Sequence, residues 1–116
     1  VEIINEQKLL CEKYGALYWE VIENLKVGIA YNVKDKAMFP INGMRHDPEG
    51  DTNGWYIWAG EEFSDDPNFF VPLHVEHLKE WRPEILKYLA LPPGFRFLIG
   101  EDNYEDVWFD ETLLDL

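Results

Sequence analysis

Trp55–Ala59 (WYIWA) limits this chain's fold more than any other stretch. Its alternation puts Trp55, Ile57 and Ala59 on one face of a strand and Tyr56 and Trp58 on the other. Large side chains on both faces leave two solutions. Either the strand is central and covered on both sides, or one face presents Tyr56 and Trp58 to a partner. Both require a sheet, and the flanking sequence supplies its other strands.

Val27–Val33 reads as a first strand. Phe69–Leu73 reads as another, which Pro72 confines to an edge or a short run. Phe95–Ile99 alternates cleanly and pairs through the hairpin loop 100–103 with Tyr104–Phe109. Helical spacing marks Asn5–Lys13, with Asn5 as cap and Leu9 and Leu10 inward. A second short helix follows on Leu17, Val21, Ile22 and Leu25, ending at Asn24. His74–Trp81 is helical, and Pro83 sits where a further helix would begin, with Glu84 favouring its positive end. Residues 34–53 carry Pro40, Gly43, Pro48 and Gly50, and read as a long loop of the functional or mobile kind. Met38, Phe39, Ile41 and Met44 argue that part of it packs down. The expected fold is α+β: a small, mainly antiparallel sheet with short helices packed on one side. With 116 residues, the chain 1–116 reads as a single domain able to bury a core without staples.

Charge narrows the function classes. The formal net charge is −13, and residues 61–116 carry −10 of it. Such a surface repels nucleic acid and anionic membrane, and speeds encounter with basic proteins. Plain solubility is the bland alternative. No apolar run approaches 18 residues and no leader pattern is visible, so a cytoplasmic protein is expected. Cys11, the single cysteine, lies on an apolar helix stripe and reads as a buried, inert thiol.

Catalytic patterns are missing. Ser64 is the only serine, and no nucleophile elbow or phosphate-cradling glycine loop is present. His74 and His77 share a helix face at a spacing that suits a metal, but the further ligands are lacking. Glu61, Glu62, Asp65 and Asp66 lack the spacing of a calcium loop and read as a solvated acidic loop. The expectation is therefore no enzyme, no cofactor, no metal and no catalytic residue.

Five stretches carry a family likeness. They are Asn53-Gly54-Trp55-Tyr56-Ile57-Trp58-Ala59-Gly60-Glu61-Glu62, Asp65-Asp66-Pro67, Pro72-Leu73-His74-Val75-Glu76-His77-Leu78, Leu91-Pro92-Pro93-Gly94-Phe95-Arg96-Phe97-Leu98-Ile99 and Tyr104-Glu105-Asp106-Val107-Trp108-Phe109-Asp110. Together they resemble the bacterial immunity protein 33 family of polymorphic toxin systems. The likeness is best over 53–114 and loose over 1–52. It implies a protein that neutralises a toxin by binding it, and it implies no catalytic residues.

From side-chain chemistry, the expected partner-binding set is Tyr56, Trp58, Glu61, Glu62, Asp65, Asp66, Tyr104, Glu105 and Asp106. Aromatics would anchor, while carboxylates would steer and pair with a basic protein such as a toxin domain. Blocking would come from steric occlusion and charge complementarity. Two other readings stand beside this one. A small-ligand or enzymatic domain would use a pocket near Trp55, His74 and His77. A structural or regulatory subunit would act as a homo-oligomer through an exposed apolar patch.

Overall fold

The computed structural model describes residues 2–22, 24–35, 37–60 and 69–114. Its centre is a six-stranded sheet. In chain order the strands are β1 (Lys26–Ala30), β2 (Ile41–Arg45), β3 (Thr52–Ala59), β4 (Phe70–His74), β5 (Phe95–Ile99) and β6 (Glu105–Phe109). Across the sheet the order is β4-β1-β3-β2-β5-β6. Only β1 and β3 run parallel; the other four pairings are antiparallel. The α+β expectation holds, and β3 is indeed interior.

One face of the sheet carries the core. Val27, Ile29, Ile41, Trp55, Ile57, Phe97 and Val107 are buried there. Over them lie helix α1 (Glu2–Lys13), helix α2 (Val75–Trp81) and the 3-10 helix Pro83–Tyr88. These contribute Leu10, Cys11, Val75, Leu78, Ile85 and Tyr88 to the same cluster. Each such aliphatic side chain taken out of water contributes roughly 2 kcal/mol before chain entropy is counted. Trp55 and Tyr88 find partners within this layer. The Trp55 indole N–H donates to the Leu89 carbonyl at 3.0 Å, and Tyr88 stacks on Phe97 with centroids 4.7 Å apart.

Helix α1 starts at Glu2, so Asn5 lies inside its first turns and is not its cap. Its buried stripe is Gln7, Leu10 and Cys11, with Tyr14 partly buried one turn on. That i, i+3, i+4, i+7 spacing turns Leu9 outward, contrary to the expectation. The Cys11 thiol approaches the Ala90 carbonyl at 3.6 Å, and burial pushes its pKa up. That is the inert state expected of it.

No helix forms over 16–22. Leu17 and Ile22 are exposed there, while Ala16, Tyr18 and Val21 pack against the core. The Trp19 amide donates to the Ala90 carbonyl at 2.9 Å. Tertiary contacts outweigh the helical spacing.

The segment 34–53, expected to be a loop, contains the interior strand β2. Two residues explain how so unpromising a sequence becomes a strand. Gly43 lies beneath the Phe97 ring, and a Cβ on it would stand 2.1 Å from Phe97 Cε2. Arg45 is 5% exposed, yet its guanidinium donates to the carbonyls of Asn53 and Leu91 at 2.8 and 2.6 Å. The rings of Trp19 and Trp55 flank it, with its Cζ 5.4 and 5.8 Å from their centroids. Burial lowers its pKa to about 10, which leaves it charged at neutral pH. A cation is thus held in the core by carbonyl dipoles and aromatic faces.

Candidate functional site

The second face of the sheet carries neither α-helix. Strand register sets two rows of side chains across it. One runs Tyr56, Met44, Arg96, Trp108, and the other Trp58, Asn42, Leu98, Asp106. Tyr56 and Trp108 are each 37% exposed, and Asp106 is exposed beside them. Arg96 is half-buried between the ends of the first row. It pairs with Asp110 at 3.3 Å and lies over the Trp108 ring. Hydrogen bonds from Thr112, and then the Arg96 charge, hold the Asp110 carboxyl below its ordinary range.

A groove of about 850 Å³ opens on this face. Met44, His46, Glu49, Tyr56, Phe70 and Leu113 are among the residues that line it. The aromatic set is fixed by edge-on contacts. Tyr56 meets His46 at 5.4 Å and Phe70 at 5.2 Å between ring centroids. His46 donates from Nδ1 to the Leu113 carbonyl at 3.0 Å, which ties the short 3-10 helix Glu111–Leu113 to the groove. Exposed Asp47 and Glu49 stand at the rim. Aromatic rings thus line the groove beside exposed carboxylates, the mix of apolar and charged groups found at protein interfaces.

The expected binding residues divide. Tyr56 and Asp106 share the face that carries neither α-helix. Tyr104 is 57% exposed but stands at the hairpin end of β6, beside a smaller hollow with Lys87, Tyr88 and Glu105. Glu61, Glu62, Asp65 and Asp66 lie outside the described residues.

Two expectations fail on burial. Trp58 is only 6% exposed, with Phe70 edge-on at 6.2 Å, so it is a packing residue and not a surface anchor. Glu105 points to the helix layer. Its carboxylate accepts from Tyr14 at 2.6 Å and from Tyr88, and it pairs with Lys13 at 2.9 Å. Lys87 lies 3.7 Å away. Burial opposes ionisation of Glu105, but the bonds from Tyr14, Tyr88 and Lys13 outweigh it and bring its pKa to about 2. Burial, and then the carboxylate, push Tyr88 far above its ordinary range. Glu105 is therefore a tie between α1, the 3-10 helix Pro83–Tyr88 and β6.

The pocket expected near Trp55, His74 and His77 does not assemble. Trp55 is a core residue, and His77 is half-exposed on α2 beside Glu76 at 3.7 Å. The His74 and His77 rings are 6.2 Å apart, and among the described residues no three His, Cys, Asp or Glu groups converge as metal ligands. Among the same residues, no helix is long and apolar enough to cross a membrane.

Three residues of the face escaped sequence reasoning. Met44 and His46 were hidden in the supposed loop. Trp108 had a usable signal: it stands two residues from Asp106 on one strand, so both share a face.

A family model described as the Imm33-like domain matches residues 6–110. No curated protein and no solved structure matches the chain.

Proposed function

The chain belongs to the Imm33-like domain family, and on that premise we propose that it is an immunity protein that binds and blocks a basic toxin domain. The observation that carries this reading is the sheet face opposite α1 and α2. Tyr56, Asp106 and Trp108 are exposed on it, and a groove with Asp47 and Glu49 in its lining opens between strands and the 3-10 helix Glu111–Leu113. The aromatics supply contact area at low entropy cost, and the acids steer a basic partner and pair with it. Blocking needs no chemistry from this chain: occupying the toxin's working surface suffices. The net charge of −13 makes encounter fast at low salt and disfavours nucleic acid as a competing ligand.

The test begins with capture. The purified chain, used as bait in a lysate of its source cell, should retain a basic protein. Co-expression of the two should relieve that protein's toxicity in a bacterial host. Association should slow by roughly tenfold or more as salt rises from about 50 to about 500 mM. A partner that is acidic, or binding indifferent to salt, would contradict the charge argument. Toxicity undiminished by a bound immunity protein would contradict occlusion.

A further inference from the structure

We infer that the outer edge of β6 is a docking strand, which takes an extended basic segment of the partner as a seventh strand of the sheet. The proposal rests on the partner-binding reading above and specifies its mode.

Hydrogen-bond parity fixes which backbone groups of β6 point away from β5. In an antiparallel ladder, a residue's N–H and C=O point to the same neighbour, and the direction alternates along the strand. The Gly100 amide donates to the Tyr104 carbonyl at 2.9 Å, and the Asp110 amide donates to the Gly94 carbonyl at 2.7 Å. Even-numbered residues of β6 therefore face β5. Glu105, Val107 and Phe109 turn their N–H and C=O groups outward. Strand β6 is last in the sheet order, and among the described residues these outward groups have no hydrogen-bond partner.

The opposite edge shows what a blocked edge looks like here. The Val75 amide donates to the Leu25 carbonyl at 3.0 Å, so by the same parity Phe70, Pro72 and His74 face outward on β4. Pro72 stands in the middle of that row and has no N–H to offer. Proline at an open edge is a recognised guard against strand addition. Strand β6 contains neither Pro nor Lys.

Side chains make the β6 edge attractive as well as open. Phe109 is 52% exposed on the helix-layer side, and Trp108 is exposed on the other side. An incoming strand would find aromatic surface on both of its faces. The charge selects its type. Glu101, Asp102, Asp106 and Glu111 are exposed along or beside the strand. A segment alternating Lys or Arg with apolar residues would set its cations against Asp106 and the Trp108 ring, and its apolar groups against Val107 and Phe109. A second copy of this chain is the poorer occupant, since it brings another −13 to the contact.

The test uses a synthetic peptide of alternating Lys and Val, about eight residues long, with the intact chain. Three comparisons accompany it: the same peptide N-methylated at every second residue, a version with Glu for Lys, and the Asp106→Lys variant of the chain. Binding and amide hydrogen exchange are followed by NMR. The proposal expects the Lys-Val peptide to slow exchange at Glu105, Val107 and Phe109 by tenfold or more. N-methylation on the bonding edge, Glu for Lys, and Asp106→Lys should each weaken binding at least tenfold. No protection at β6, equal binding by the N-methylated peptide, or a dimer of this chain joined through β6 would overturn it. The two readings fail separately. A toxin partner that leaves these three amides exchanging refutes strand addition alone. Failure to retain any partner refutes the immunity reading and leaves the peptide result standing.

Discussion

Replacing Glu105 with Gln keeps the shape of the side chain and removes its charge. In the wild-type protein that charge accepts two tyrosine hydroxyls and pairs with Lys13. The folded-state pKa is about 2 against an ordinary 4.5. At about 1.4 kcal/mol per unit, the largest linkage this permits is about 3 kcal/mol. Solvent reaches the lysine end of the cluster and screens it, so about 1.5–2 kcal/mol is expected near neutral pH. A carboxyl whose pKa is depressed by folding adds stability in full above its unfolded pKa. That stability is lost as pH falls towards the folded value. For Glu105 the window runs from about pH 5 down to about pH 2. Urea unfolding of Glu105→Gln and wild type should therefore differ by about 1.5–2 kcal/mol near pH 7, and the gap should close progressively below about pH 5. The thermal midpoint should drop by roughly 6–10 °C near neutral pH. Equal stabilities near pH 7, or a gap that persists undiminished near pH 3, would refute the assignment of Glu105 as a charged tie.

Gly43→Ala should cost about 1–3 kcal/mol in chemical unfolding, because the new methyl meets the Phe97 ring, which is itself packed between Trp55 and Tyr88. Arg82→Leu should destabilise by about 2–3 kcal/mol, since the buried guanidinium donates to the Asp35 carbonyl at 2.9 Å and pairs with Glu84 at 3.3 Å. Asp106→Lys should change unfolding stability by less than about 0.5 kcal/mol, as expected of an exposed site. In stopped-flow mixing with the proposed toxin partner it should nevertheless lower the association rate severalfold at low salt.

Much of the sheet was legible because its signals are local. The period of two in 55–59 and 95–99, the hairpin at 100–103 and the proline in 69–73 each fix a strand without reference to distant residues. Strand β2 was not legible, because what makes it a strand is remote. Gly43 looks like a turn residue until Phe97 is placed above it, and Arg45 looks like a surface charge until Trp19, Trp55 and two carbonyls enclose it. The supposed second helix failed for the converse reason: Leu17, Val21 and Leu25 have helical spacing, but Leu17 and Ile22 have no core to face.

For the candidate site the division is similar. Alternation put Tyr56 and Asp106 on strands, and register then brought them to one face. The same alternation separates Glu105 from Asp106, because adjacent strand residues point to opposite sides. Placing both Glu105 and Asp106 in the expected partner-binding set ignored that parity. The partners that claim Glu105, Tyr14 and Tyr88, come from the helix layer and leave no trace in the local sequence.

The proposed immunity role places the partner on the sheet face opposite α1 and α2, and not on the helix layer. Hydrogen-exchange footprinting of the chain with the proposed toxin partner bound separates the two surfaces. The account predicts protection on β2, β3, β5 and β6, centred on Met44, Tyr56, Arg96 and Trp108, with α1 and the 3-10 helix Pro83–Tyr88 unchanged. Protection confined to α1 and that 3-10 helix, with the Tyr56–Trp108 row exchanging as in the free protein, would contradict it.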